Sequence, residues 1–370
     1  MEELRYSAAV LHAAGERLSI EQVVTAPPAA DNVLVRVRAA GLCHTDLEVV
    51  DGGLHYPMPI ILGHEAAGVV EAVGPDVTGL APGDHVILSW NPHCGDCFYC
   101  RRDNPILCET YLRETVKGTH FDGSRPVRLS DGRPLSQLMF LGAFAEYCHV
   151  SAGQAIAIPK DVPLDRACLI GCAVMTGVGA AINVADIRPG DVAMVIGCGA
   201  VGLAAVQGAC MAGAGMVIAV DLDDAKLALA KRLGADVTVN ARHQDAADVA
   251  RAHSAGRGAD VVIEAAGSGA AFRSSVEAVR PGGSVVWLGK TGVNDDVAFR
   301  WGSLMQEKRI RRNSYGDARP ARDFPMLAQG YLDGRLLLDD LITDRIALAD
   351  INDGLDRLRR GEAIRSVVLL

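Results

Sequence analysis

No basic tract runs through this sequence, and its formal net charge is −9. Such a chain offers no cationic stripe to a phosphate backbone, which argues against nucleic acid as a partner. The opening residues, MEELRYSAAV, lack a basic region followed by an apolar core and a small-residue cleavage site. No secretory signal is read, and a cytoplasmic protein is expected. Internal repeats and low-complexity tracts are also missing, so nothing points to a repeat array. One stretch lacks charge altogether: residues 192–220 are long enough to span a bilayer. Six glycines interrupt it, and Asp191 and Asp221 bracket it. A strand, a tight turn, a helix and a second strand account for it better, and no membrane partner is expected.

What is present is ordinary in bulk and specific in detail. The 370 residues are 49% hydrophobic and 22% charged, the balance of a soluble globular protein. That length exceeds one ordinary core, so two domains are expected. Ten cysteines without an export signal favour a reducing compartment and metal thiolates over disulfides.

The first half reads as short strands at 33–39, 67–73 and 85–88, separated by Gly/Pro/Asp turns. Residues 110–136 form a polar stretch, expected as a long surface loop. From Asp191 strand and helix alternate: strands at 193–196, 216–220, 237–239, 260–264 and 284–288, with a sixth at 309–314. That rhythm implies an α/β domain of the Rossmann type, a doubly wound parallel sheet with helices on both faces. The tail from about Tyr315 returns to mixed character and is expected on the first domain.

Gly197-Cys198-Gly199-Ala200-Val201-Gly202 follows a strand and opens a helix. The first glycine permits the tight turn, the second lets a pyrophosphate approach, and the third allows helix–strand packing. The helix N-terminus offers N–H groups and positive dipole to phosphate. Asp221 ends the next strand, where a carboxylate accepts from ribose hydroxyls and repels a 2′-phosphate; NAD is favoured over NADP. Lys226, one turn into the next helix, is a candidate for a further ribose contact. The bland alternative is a packing turn with Asp221 as a helix cap.

Cys94, Cys97, Cys100 and Cys108 can surround one tetrahedral ion. The first two spacings resemble an iron–sulfur run, but the fourth cysteine lies too far on and no Cys-Pro follows, so zinc is favoured. Cys43, His64 and Cys172 offer two thiolates and an imidazole, a ligand set that leaves a coordination position for substrate. Asp46 is placed to fix the His64 tautomer. Cys168 competes with Cys172, and spacing does not choose between them. His85, His120, His149, His243 and His253 read as surface or satisfied core residues. Cys148, Cys198 and Cys210 read as small buried hydrophobes.

Together CHTD at 43–46, GHEAAGVVEAVG at 63–74, the cysteine lobe, GCAVMTG at 171–177, GCGAVG at 197–202 and VDLDDAK at 220–226 resemble the zinc-dependent medium-chain alcohol dehydrogenases over nearly the full length. LGAFAEY, ARDFP and IRSVVLL most resemble actinobacterial members, mycothiol-dependent formaldehyde dehydrogenases among them. The resemblance implies a GroES-like β-rich catalytic domain, residues 1–174 and 316–370, carrying a structural-zinc lobe at 91–110. It implies a dinucleotide-binding domain at 175–315. Two zinc ions per chain, NAD and a homodimer are expected with it.

By the same resemblance Cys43, His64 and Cys172 hold catalytic zinc, with Glu65 behind it. Thr45 bonds the substrate hydroxyl, His44 and Arg365 touch the cofactor pyrophosphate, and Thr176 lies near the nicotinamide. Leu54, Trp90, Phe140 and Leu141 fall at pocket-wall positions, where ordinary core packing is the alternative. Three positions depart from the family pattern. Glu48 stands where a proton relay often ends in histidine. Lys290 replaces a common apolar pocket residue, and an anionic substrate group is one partner it could meet. Leu54, His55 and Tyr56 stand where the glutathione-dependent branch has acids. The expected function is interconversion of primary alcohols, aromatic ones among them, and aldehydes with NAD. The alternatives are oxidation of a mycothiol–formaldehyde adduct, or a catalytically silent NAD- and zinc-binding protein.

Overall fold

The computed structural model describes residues 2–370, which divide into two compact units. The first takes the chain up to Cys172, then Arg319–Gly334 and Leu341–Leu370; the second takes Ala173–Ala318 and Arg335–Asp340. Arg335–Asp340 differs from the expectation for the tail. The Gln207 side chain donates to the Leu337 carbonyl (3.0 Å) and accepts its N–H (2.7 Å), which anchors that short segment in the second unit.

In the first unit Asn32–Gly41 is the organising strand. It pairs antiparallel with Ala66–Val73, with Tyr147–Ser151 and with Ser366–Leu369 in a seven-stranded sheet. A five-stranded sheet is built around Leu4–Leu11. Alternate residues such as Val35, Val37, Val70 and Val86 turn inward with Leu42, Leu88 and Phe144, and all are buried. Register has a functional consequence. Ala40 faces Ala66, and the Gly41 N–H donates to the Glu65 carbonyl at 2.7 Å. The chain therefore leaves one strand toward Cys43 where it enters the next from His64.

The second unit is a six-stranded, all-parallel sheet. The order is Val237–Asn240, Met216–Asp221, Val192–Ile196, Ala259–Glu264, Val279–Trp287, Arg309–Arg312. This is the doubly wound arrangement expected, and its order reverses between Val192–Ile196 and Ala259–Glu264. The charge-free run 192–220 is strand, turn, helix and strand, as read from its glycines. Another apolar run, Leu164–Val184, is helical and long enough to cross a membrane, but 78% of its most apolar window is buried inside the protein.

Residues 110–136 are not a plain loop. They contain the helix Glu109–Lys117 and the strand Val127–Leu129. The Cys108 sulfur accepts the Tyr111 N–H (3.4 Å) and caps that helix, so polar composition hid a side-chain cap. Beyond the helix, His120 and His149 are buried. Gln137 donates to the Leu141 and His149 carbonyls, which leaves its oxygen to accept from His120 Nε2 at 3.1 Å. Thr25 donates to the Pro126 carbonyl and accepts from His149 Nδ1 at 2.9 Å.

Burial pushes both imidazoles down to about 4. Both are neutral in the native state, while the unfolded chain takes up their protons below about 6.5. Stability is thus fully present above that pH and is lost as pH falls toward 4, by up to roughly 3 kcal/mol per histidine. Denaturant midpoints at pH 7.5 and 5 should show the loss. His120→Gln, which keeps a donor to Gln137, should shrink it; an unchanged pH difference in that variant would refute the assignment.

Candidate metal centres and dinucleotide site

Cys43 is the N-cap of the helix His44–Val50. Asp46, fully buried on the first turn, accepts the Cys43 N–H at 3.0 Å through one oxygen. Its other oxygen accepts the Gly63 N–H at 3.0 Å and lies 3.2 Å from His64 Nδ1. One carboxylate therefore shapes the cap and orients the imidazole, turning Nε2 toward the sulfurs. His64 Nε2 lies 3.5 Å from Cys172 Sγ, and the ligand atoms of Cys43, His64 and Cys172 all lie within 4.8 Å of one another. Cys172 sits in the π-helical turn Ile170–Val174. Gly171 brings that turn against the sheet, where a Cβ would stand 3.0 Å from the Leu88 carbonyl. Cys168 is outside this cluster: it is buried and its thiol donates to the Asp165 carbonyl at 3.3 Å.

The electrostatics of this cluster suit a cation. Glu65 is fully buried, and neither carboxylate oxygen has a hydrogen-bond partner among the described residues. Arg365 Nε lies 3.5 Å from it, an ion pair by distance but not a hydrogen bond, while Nη1 donates to the Leu42 carbonyl. Burial pushes Glu65 up to about 7 despite Arg365. The hydrogen bond from Cys172 holds the Cys43 thiol well below its ordinary range, against the cost of burial. Burial works against charging His64, but Asp46 and Cys43 raise it well above the ordinary imidazole range. Tetrahedral zinc with a bond of about 2.3 Å to sulfur and about 2.0 Å to nitrogen implies an S···N edge of about 3.5 Å, the separation found between Cys172 and His64. Gly41, which sequence reasoning passed over, makes room: a Cβ there would meet the Glu65 carboxyl at 2.9 Å. Its only signal was a glycine inside a β-rich run.

Cys94, Cys97, Cys100 and Cys108 form the second cluster, with sulfurs within 4.8 Å of one another. Cys94 and Cys108 sulfurs are 3.7 Å apart, against about 3.8 Å for an edge of a zinc tetrathiolate. Backbone N–H groups point at them: Cys94 N–H to Cys108 Sγ at 3.4 Å and Cys97 N–H to Cys94 Sγ at 3.3 Å. Although burial opposes it, the Thr110 hydroxyl and the Asp96 and Cys97 N–H groups bring Cys94 down to about 6.

At the sheet's carboxyl edge the three glycines of the 197–202 turn have separate reasons. Gly197 has φ 94°, and a Cβ on it would lie 2.6 Å from the Ala266 nitrogen. Gly202 admits none, since a Cβ would fall 1.7 Å from the Gly197 carbonyl oxygen. Gly199, the N-cap of the helix Ala200–Met211 that includes Val201, faces open space, as an approaching ligand needs. Asp221 accepts the Cys198 N–H at 2.6 Å, and Leu222 and Asp223 N–H at 2.7 and 3.0 Å. It therefore also braces the turn. Beside it lies a cavity of about 360 Å³ lined by Gly197, Val220, Asp221, Gln244, Ala266 and Ser274. Lys226 is half-buried on the first turn of Asp224–Arg232.

The remaining expected residues are spread more widely. His44 is exposed and Thr45 and Glu48 are half-buried on the Cys43-capped helix; Thr176 is half-buried. Arg365, expected at the pyrophosphate, is buried against Leu42 and Glu65. Leu141 is a fully buried core residue, with Leu54 and Trp90 packed against the same core. Phe140 lies elsewhere, in an aromatic group with Tyr111, Phe121 and His120 beside Cys108. Lys290 is exposed.

Known proteins are similar to this chain over its full length. Residues 29–160 match the alcohol dehydrogenase GroES-like domain family, and residues 200–329 match the zinc-binding dehydrogenase family. Alcohol dehydrogenase 1 of Pisum sativum is 34% identical over 99% of this chain and 97% of its own length. An S-(hydroxymethyl)glutathione dehydrogenase of Paracoccus denitrificans is 34% identical over 99% of this chain and its own full length. The crystal structure of benzyl alcohol dehydrogenase from Acinetobacter calcoaceticus covers 100% of both chains at a TM-score of 0.93 and 30% identity. Two metal-ligand clusters, a glycine turn at the sheet's switch point and these full-length likenesses make one conclusion: the chain belongs to the zinc-dependent medium-chain alcohol dehydrogenases, enzymes of zinc and a nicotinamide cofactor.

Proposed function

We propose that this enzyme interconverts primary alcohols, aromatic ones among them, and aldehydes with NAD. The carrying observation is the cluster of two half-buried cysteine sulfurs and one buried imidazole, with the hydrogen-bond-deficient carboxylate of the neighbouring residue Glu65. Cys43, His64 and Cys172 hold the catalytic zinc in this reading, and Cys94, Cys97, Cys100 and Cys108 hold the structural one. Bound there, zinc would supply Lewis acidity that lowers the pKa of the substrate hydroxyl, and NAD would be the hydride acceptor. Asp46 keeps His64 in the tautomer that presents Nε2. Glu65 balances the charge of the site.

Thr45 orients the substrate hydroxyl and takes its proton. Glu48 lies three residues on, hence on the same helix face, and receives the proton in place of a histidine. Gly197, Gly199, Ala200, Val201 and Gly202 bind the pyrophosphate through backbone N–H groups, and His44 and Arg365 touch it in this reading. Asp221 and Lys226 take the adenosine ribose, and Thr176 the nicotinamide side. Leu54, Trp90 and Lys290 are the proposed substrate-side residues; Leu141 packs in the main core and Phe140 in the aromatic group beside Cys108 instead. The aromatic preference draws on Trp90 and on the likeness to benzyl alcohol dehydrogenase. A cytoplasmic homodimer is part of this reading.

Oxidation of a thiol–formaldehyde adduct is the second reading, favoured by the S-(hydroxymethyl)glutathione dehydrogenase relatives. The segment Leu54-His55-Tyr56 places no carboxylate there to meet a glutathione amine. NADH formation from benzyl alcohol, ethanol and formaldehyde, each with and without mycothiol, separates the two. Benzyl alcohol oxidation without any thiol is the expected result. A strict thiol requirement would replace the first reading with the second.

A further inference from the structure

Glu264 ends the strand Ala259–Glu264, one of the two strands that flank the point where the sheet order reverses. It stands in register with Ile196, the residue before Gly197, and with Trp287 on the other side. Ligands of such sheets bind outside the carboxyl ends of the strands at that switch point. A side chain there bears on the dinucleotide even without touching it.

The Glu264 carboxylate is fully buried. One oxygen accepts two successive backbone N–H groups, Ala266 at 2.8 Å and Gly267 at 2.7 Å. Its backbone carbonyl accepts two more, Leu288 at 2.8 Å and Gly289 at 3.1 Å. The second carboxylate oxygen has no hydrogen-bond partner among the described residues, and burial raises this carboxyl above the ordinary range. A half-satisfied buried acid is costly, so a neutral or apolar residue would be the stable choice if only the fold mattered.

The geometry around it shows what the carboxylate maintains. The turn it clamps, Ala265 to Gly267, is wedged between two other strand ends. On one side a Cβ on Gly197 would meet the Ala266 nitrogen at 2.6 Å; on the other a Cβ on Gly267 would meet the Lys290 carbonyl oxygen at 2.4 Å. Gly267 has φ 71°, the left-handed region. Gly289 closes the junction, where a Cβ would lie 2.5 Å from the free Glu264 oxygen. Three glycines thus meet around one acid, and the first of them opens the phosphate-binding turn.

We infer that Glu264 is a positioning residue for the dinucleotide: by fixing the Ala266 and Gly267 N–H groups it sets the wall against which Gly197 holds its shape. This rests on the reading that the 197–202 turn binds NAD. It concerns cofactor affinity, not the zinc chemistry.

The test is NADH titration by fluorescence and steady-state kinetics with benzyl alcohol, on wild type, Glu264→Ala, Glu264→Gln and Gly267→Ala. Glu264→Ala should raise the NADH dissociation constant and the KM for NAD about ten-fold or more, with kcat at saturating NAD within about three-fold of wild type and both metals retained. Glu264→Gln keeps an oxygen for the two N–H groups and should recover most of the affinity. A purely structural role would instead lower melting temperature and kcat without this selective change. If Glu264→Ala is recovered only as aggregate, Gly267→Ala displaces the same turn with the acid in place and should show the same loss. Wild-type affinity in whichever of the two folds overturns the inference. Failure of wild type to bind NADH overturns the NAD reading itself, and this inference with it.

Discussion

Replacing Cys172 with serine is expected to remove one of two zinc ions and to lower alcohol oxidation by about 10³-fold or more. A serine hydroxyl stays protonated near neutral pH and is a poor ligand for zinc, whereas Cys172 Sγ is within bonding range of a common centre with Cys43 and His64. Loss of the ion also leaves Glu65 buried with no cation nearer than Arg365, whose Nε is 3.5 Å away. The variant should still bind NADH, because the glycine turn belongs to the second unit and Cys172 to the first. Metal analysis, NADH titration and benzyl alcohol turnover on one preparation separate these effects. Cys168→Ser is the matched control: its sulfur bonds the Asp165 carbonyl, so both metals and near-wild-type turnover are expected. Full activity in Cys172→Ser with one zinc per chain would remove the basis of the proposed mechanism.

The contrast between those two cysteines shows where sequence reasoning ran out. Both lie near the same helical run, and spacing gave no reason to prefer either. The difference is three-dimensional: a π-helical turn and the close approach of Gly171 to the Leu88 carbonyl decide which sulfur faces His64. The glycine turn was legible because its chemistry is local, with strand, turn, helix and acid following in order. The tetracysteine lobe was legible for the same reason. Asp46 was expected to fix the His64 tautomer; its carboxylate lies 3.2 Å from His64 Nδ1 and also accepts the Cys43 and Gly63 N–H groups.

Long-range packing was not legible. The helix Glu109–Lys117 was hidden because its cap is a cysteine that also belongs to a metal cluster, and cysteine is not a usual cap signal. Gly41 was missed because Glu65 reaches it from another strand, and Glu264 because the strand ends that wedge its turn, at Gly197 and Lys290, lie far along the chain. The docking of Arg335–Asp340 depends on Gln207, 130 residues away along the chain. None of these leaves a periodic or local mark.

The second large effect is expected from Cys97→Ser. The lobe that Cys97 helps to close has little core: Cys108, Tyr111 and Phe140 are its buried hydrophobics, with the other cysteines and Phe121 packed around them. Phe98, Leu107 and Leu112 nearby are exposed. A segment so built cannot offset its conformational entropy by burial, and a tetrathiolate ion is what remains to order it. Zinc sites of this kind are worth about 10–16 kcal/mol in isolated peptides; even a third of that would lower the melting temperature by roughly 10 °C.

The damage should spread along a defined route. Phe140 packs on Tyr111 (5.3 Å between ring centres), Phe121 (5.4 Å) and His120 (5.0 Å), and both Phe140 and Met139 hold left-handed φ angles of 61° and 54°. Side chains rarely adopt that conformation, so this turn persists only while its surroundings hold it. Leu141 follows directly and is part of the main core. Asp103 within the lobe is paired with Arg319 at 2.9 Å, which carries the disturbance to the start of the helix Pro320–Leu332. Cys97→Ser should therefore retain one zinc, melt earlier, and be cut by protease first within residues 94–118. Alcohol turnover should fall in parallel with the disordered fraction, and NADH affinity should stay near wild type. A variant with one zinc but the wild-type melting temperature and cleavage pattern would show that the lobe is ordered without its ion.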